Sequence, residues 1–341
     1  MVDGAPRRRS VVTLSHWPQA ATPKAVARDL SVEMALDYAR MAVGWPSSGG
    51  AGGGGRGGDG DGAVAMRALL ERGEAALAVT NDHFDEDGLM SVLSLVDPEW
   101  ALEREHLLVG IASCGDFGVV PEEVGDLAAR VAFAIEPLAD EEAGPGAGTS
   151  DRYLAVLPVI RSLIDRPASY EALWHEEITV YEAGRRALER GDVTLDEEPE
   201  LDLTVVRRAA GASSAGAAGG LPVHAAVVHS TSPSSRILAF DGSRCELYLR
   251  YESWVRYCSR RVPLRPDLAP LAAELTSLEP GPLTWEAHGV GAIVCRLRPL
   301  GEGETELSPE VVTKRVRAYL RRAPGAWDPW RDAGPYIGPV G

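Results

Sequence analysis

The chain has 341 residues, 50 of them acidic and 34 basic, giving a net charge of −16 and a sequence pI near 4.9. That acidity excludes a general nucleic-acid or anionic-membrane binder, since phosphate surfaces repel such a chain on average. The 45% apolar content excludes a wholly disordered chain. Cys114, Cys245, Cys258 and Cys295 have no CxxC spacing, so they read as reduced thiols and not as a zinc site or disulfide frame. No apolar stretch approaches the ~20 residues of a membrane span. No apolar signal core follows Arg7-Arg8-Arg9, so the expected compartment is the cytoplasm.

The apolar run 11–14 reads as a short strand that delivers Ser15, His16 and Trp17 at its carboxyl end. Residues 30–43 have apolar positions at helical spacing. The glycine-rich tract 47–62 reads as a flexible surface loop, because it brings almost no side chains to pack. A helix is predicted over 63–72 and a compact buried strand over the apolar run 75–80. Helices follow over 89–96, 98–112 and 122–135, then a Gly/Pro-rich linker and a helical hairpin over 152–190 broken at Arg166-Pro167. The stretch 196–202 reads as an acidic connector, and a second low-complexity break occupies 209–220.

Beyond that break the pattern turns to strands at 223–228, 236–240 and 245–251, with a turn at Asp241-Gly242. A helix near 267–278, a strand near 289–298 and a helix at 308–322 complete the sequence pattern. The expected class is α/β. A parallel-type sheet domain with helical additions covers 1–208, a linker 209–220, a smaller α+β domain 221–325, and a tail 326–341.

The chemistry concentrates in Thr80-Asn81-Asp82-His83-Phe84-Asp85-Glu86-Asp87-Gly88. At a strand's period of two, His83, Asp85 and Asp87 project to one side, and Gly88 permits a tight turn into the following helix. One imidazole with two carboxylates suits a divalent cation such as Mn or Mg better than a thiolate-selecting site does. A solvated acidic turn, with Asp87 capping the next helix, is the alternative. A calcium loop is excluded, because its first ligand would be a histidine and its twelfth position is Ser94. Asp116, in Gly115-Asp116-Phe117-Gly118, is a candidate further ligand returning from another element, and His16 is a weaker one.

The segment His83-Phe84-Asp85-Glu86-Asp87-Gly88-Leu89-Met90-Ser91 resembles the first motif of the DHH-type phosphoesterases, over about residues 76–95. The resemblance implies that His83, Asp85 and Asp87 are catalytic metal ligands, typically for Mn, in a hydrolase of phosphodiesters or phosphoanhydrides. The chain contains no Asp-His-His triplet. The same segment with the later Gly-Asp-Phe also resembles an uncharacterised bacterial family.

Arginines interleaved with aromatic residues over 236–265 offer a phosphate-facing surface, with Arg250, Arg256 and Arg260 the candidate substrate ligands. The expected function is therefore a metal-dependent hydrolase acting on a phosphorylated small molecule. A catalytically silent binding or scaffold protein is the rival. No P-loop or GxSxG is present, and GxGxxG spacing occurs only within the glycine tract 47–62, with no strand leading into it, so a nucleotide kinase, dinucleotide dehydrogenase or serine hydrolase lacks support.

Overall fold

The computed structural model describes residues 1–44, 61–209, 211–212 and 221–332. Most of the glycine tract, most of the 209–220 linker and the end of the tail lie outside the described residues. The N-terminal part is helical: α1 Ser31–Ala42, α2 Asp61–Gly73, α3 Glu86–Val96, α4 Pro98–Glu103, α5 Glu105–Asp116, α6 Gly125–Ala143, α7 Thr149–Val156, α8 Ile160–Asp165 and α9 Glu171–Glu189. α3 packs on α1 and α5, and α6 packs on α5, α7 and α9. Their shared core is filled by side chains at helical spacing, such as Leu36, Leu89, Met90, Ile111 and Ile135, all fully buried.

The strands come later: β1 Val193–Glu198, β2 Leu203–Arg208, and, after α10 Ala225–Thr231, β3 Arg236–Asp241 and β4 Arg244–Leu249. β5 Arg265–Pro266, α11 Ala269–Leu278, β6 Trp285–Ala287, β7 Cys295–Pro299, α12 Pro309–Arg322 and β8 Gly325–Trp327 complete the chain. The six-stranded sheet has the order β1-β2-β3-β4-β7-β6, so strands from both sides of 209–220 share it. Leu238, Phe240, Leu247 and Leu249 face α11 and α12, while Ile237, Ala239 and Tyr248 face α9 and α10. With helices on both faces the protein is of the α/β class. The expected parallel pairing is confined to β2–β3, and the other neighbours run antiparallel.

Three local expectations are corrected. Residues 75–80 form no strand: Leu77 is fully exposed, and the run's backbone tie to the N-terminal segment among the described residues is a single bond from the Val2 amide to the Thr80 carbonyl, 3.0 Å. An apolar run becomes a strand only where a partner satisfies its backbone. Residues 223–228 are not a strand but lead into α10, whose first turn is capped by His224 accepting from the Ala226 amide. The 98–112 helix breaks at Arg104 and then runs on to Asp116, which places that carboxylate at a helix C-terminus. Among the described residues no helix is long and apolar enough to cross a membrane.

Candidate metal centre

The centre is assembled by short segments rather than by a sheet edge. Residues 1–3 and 12–16 run side by side, joined by the Asp3 amide to Leu14 carbonyl bond (2.9 Å) and the Leu14 amide to Met1 carbonyl bond (3.0 Å). This places Asp3 beside His16. The loop into α3 brings His83 and Asp85, α3 itself carries Asp87, and α5 ends on Asp116.

His83 Nε2 lies 2.7 Å from Asp85 Oδ2 and 2.9 Å from Asp3 Oδ2. His16 Nε2 lies 3.3 Å from Asp116 Oδ2 and 3.6 Å from Asp3 Oδ1. Ligand-type atoms of Asp3, His83 and Asp85 all fall within 4.8 Å of one another, and so do those of Asp3, His16 and Asp87. Asp3 belongs to both groups.

Each expected ligand has a distinct local role. Asp85 caps α3 by accepting from the Gly88 amide at 2.8 Å, which leaves its other oxygen for His83. Asp87 does not cap its own helix. Its two oxygens accept from the Ser31 and Val32 amides, 2.7 and 2.8 Å, at the N-terminus of α1, where the helix dipole favours an anion. Gly88 serves close approach and not a left-handed turn: a Cβ there would lie 2.1 Å from Asn81 Nδ2, 2.6 Å from Tyr153 Oη and 2.9 Å from Asp85 Oδ1.

Both imidazoles are oriented as metal-bound histidines are, with one nitrogen fixed by an outer acceptor. His83 Nδ1 faces Asp82 Oδ1 at 3.1 Å, Asp82 Oδ2 is held by Arg7, and the Trp17 ring stacks on the imidazole. His16 Nδ1 donates to the Asp29 carbonyl, so Nε2 carries the lone pair and points at the carboxylates. Burial lowers the His16 pKa and keeps that ring neutral.

The acids are far from comfortable. Burial and mutual repulsion raise Asp3 to about 6 and Asp87 to about 7, and lift Asp116 well above the usual range. Asp116 Oδ2 is buried with no hydrogen-bond donor, and Asp3 Oδ2 meets only His83 Nε2, whose pKa the surrounding carboxylates raise. Asp116 also sits at the wrong end of a helix dipole for a carboxylate. The donorless Asp116 oxygen, facing a lone pair on His16 and crowded by Asp3 and Asp87, borders an acceptor-rich hollow that a cation fits. The Tyr251 hydroxyl, 3.2 Å from His16 Nε2, borders the same hollow. The hollow is approached from the His83 and Asp85 side, where those side chains are 27% and 29% exposed.

The structure thus brings His83, Asp85, Asp87, Asp116 and His16 together, but it does not bring the arginines. Arg250 is buried, donates to the carbonyls of Ser232, Ser234 and Phe117, and pairs with Glu252 at 2.6 Å. Arg256 donates to the carbonyls of Pro18 and Ala20, and Arg260 to that of Pro233. Arg250 buttresses the segment after Asp116, Arg256 the segment after His16, and Arg260 the loop before β3, so these donors are engaged by carbonyls. Sequence reasoning missed Asp3 and Tyr251. One signal for Asp3 existed: it is the only acidic residue before Asp29, in a stretch that otherwise carries Arg7, Arg8, Arg9, Lys24 and Arg28.

Fold and site together define an α/β protein with a buried carboxylate–imidazole cluster built on its helical part. The chain belongs to DUF6687, a family of unknown function whose model matches residues 1–331. Neither the curated proteins nor the solved structures contain a match to the chain.

Proposed function

We propose that the protein is a divalent-metal-dependent hydrolase of phosphorylated small molecules, acting in the cytoplasm. The observation that carries this reading is the convergence of six ligand-type side chains, including a donorless buried Asp116 oxygen and two inward-facing Nε2 atoms. Asp3, His83 and Asp85 would hold one cation, and Asp3, His16 and Asp87, with Asp116 nearby, a second. Oxygen and imidazole ligands suit Mn or Mg. When bound, such ions acidify water at neutral pH and polarise a phosphoryl oxygen.

The chain's own residues do the rest. Asp82 and the Asp29 carbonyl hold the two imidazoles in the tautomer that presents Nε2 inward. The Tyr251 phenol, kept protonated by burial and by the surrounding carboxylates, can donate to an anionic oxygen. Four carboxylates offset by two divalent cations make a neutral ligand set, so an anionic phosphate can approach without an arginine. Four free thiols among the described residues accord with the reducing compartment, and the strong net acidity with a small-molecule substrate in place of nucleic acid.

One observation favours the catalytically silent reading: both oxygens of Asp87 are already used to hold α1, as in a structural site. A two-part experiment decides. Millimolar Mn or Mg should raise the melting temperature of chelator-treated protein, because a ligand of the folded state alone stabilises it, by about 2.7 kcal/mol at a hundred times Kd. Asp85→Asn should remove that rise. Release of phosphate from mono- or diesters by the metal-loaded protein, lost in Asp85→Asn, supports the hydrolase. A metal response without hydrolysis selects the silent reading, and a melting curve indifferent to both ions overturns the metal centre.

A further inference from the structure

A cavity of about 860 Å³ opens beside the N-terminal segment, on the far side of Asp82 from the ligand set. Small-molecule sites are concave, largely apolar and typically ~300–1,000 Å³, with a few polar groups that fix orientation. This one has those properties. Val12, Ala39, Val79 and Leu95 supply aliphatic walls from the N-terminal segment, α1, the 75–80 run and α3. The exposed apolar run 75–80, which belongs by composition in a core, thereby gains a reason to lie where it does.

The charge on the lining is the reverse of the chain's. Arg7 and Arg9 both line the cavity, and Asp82 is the one acid among its described lining residues. Asp82 is already engaged by Arg7 and His83. Arg9 is exposed and has no carboxylate partner among the described residues. An aliphatic hollow with cationic side chains, in a protein of net charge −16, selects for an anion that carries an apolar chain.

We propose that this cavity binds an amphipathic anion, with its alkyl chain among the aliphatic walls and its carboxylate or phosphate head on Arg7 and Arg9. The site adjoins the carboxylate–imidazole cluster, sharing Arg7 and Asp82 with it, but the proposal does not depend on the hydrolase reading. Binding is therefore measured on chelator-treated protein, so that failure of one proposal leaves the other standing.

Isothermal titration below the micelle concentration uses octyl, decyl and dodecyl phosphate, the matching fatty acids, dodecanol and inorganic phosphate. Affinity should rise roughly fourfold per added methylene, as each buried CH₂ contributes to transfer from water. Dodecanol should bind at least about tenfold more weakly than either C12 anion, since a charge-assisted bond to guanidinium is missing. Inorganic phosphate alone should not saturate. Whichever of dodecyl phosphate and dodecanoate binds more tightly names the source of the head group.

Arg9→Ala, at an exposed position, should weaken both anions about fivefold to tenfold and leave dodecanol unchanged. Ala42→Trp, at the exposed end of α1 where it lines the cavity, should weaken every long-chain ligand while the melting temperature reports an intact fold. Affinity independent of chain length, dodecanol binding as tightly as the anions, or an Arg9→Ala protein that binds like the wild type would each overturn the proposal.

Discussion

Two buried charged regions of this molecule make an instructive pair. The Arg265 guanidinium has every donor met. The guanidinium, 1% exposed, donates to the carbonyls of Arg250, Val290, Ala292 and Ile293 and to the Ser253 hydroxyl. Burial pulls its pKa down only to about 10, so it stays charged. Around Asp3 and Asp116 the balance tips the other way: acids are gathered at the core of the helical part, Asp116 Oδ2 has no donor, and both pKa values are driven upward. A buried charge that stabilises the fold arrives with its partners, and a buried acid left short of them is the kind of group that marks a candidate ligand site.

The largest expected effect breaks the matched side. Arg265→Met keeps the volume roughly but strands five acceptors, so unfolding in urea should show a loss of about 3–5 kcal/mol, the range for removing one partner of a buried charged network. A loss below 1 kcal/mol would mean that those carbonyls find water or other donors and that the contrast is overstated.

Asp116→Asn sharpens the unmatched side. In metal-free protein it replaces a carboxyl that burial and its acidic neighbours already keep from ionising, so the melting temperature should stay within the equivalent of about 1 kcal/mol. The same variant should respond less to Mn. A clear loss of stability without metal would instead assign Asp116 a structural role like that of Arg265.

The smallest effect tests a carboxyl between the two extremes. Glu33 is half-buried and accepts one bond from the Leu30 amide, and burial raises it to about 7. Because the folded state holds this proton more tightly than the unfolded chain does, Glu33 favours folding fully below the ordinary carboxylate range, ~4.3. That contribution is lost as pH rises towards 7. Melting curves across that window should therefore fall less steeply for Glu33→Gln than for the wild type, and parallel curves would refute the assignment.

Much of the site was legible because its chemistry is local. His83, Asp85 and Asp87 are close in sequence and remain close in space, although only His83 and Asp85 keep the alternating geometry, Asp87 having passed into α3. Asp116 and His16 could be suspected from residue type alone. The arginines misled for an equally plain reason: a guanidinium in a sequence shows its five donors but not the acceptors that will reach it. Arg250 and Arg256 meet carbonyls of Ser232, Ser234, Phe117, Pro18 and Ala20, contacts of up to 238 residues' separation.

Helical periodicity and alternation determined α1, α2, α12 and the β3–β4 hairpin, since each of these is specified by which of its own faces is apolar. The His-x-Asp-x-Asp spacing likewise determined that an imidazole and two carboxylates would cluster around residues 83–87. Whether the run 75–80 became a strand, whether 223–228 became a helix, and which distant acid completed the centre depended on tertiary partners. A backbone run needs another segment to satisfy its hydrogen bonds, and a ligand set needs atoms from several segments within about 5 Å of one another. Neither condition is written in any single stretch of chain, and Asp3, eighty residues from His83, is the residue that shows it.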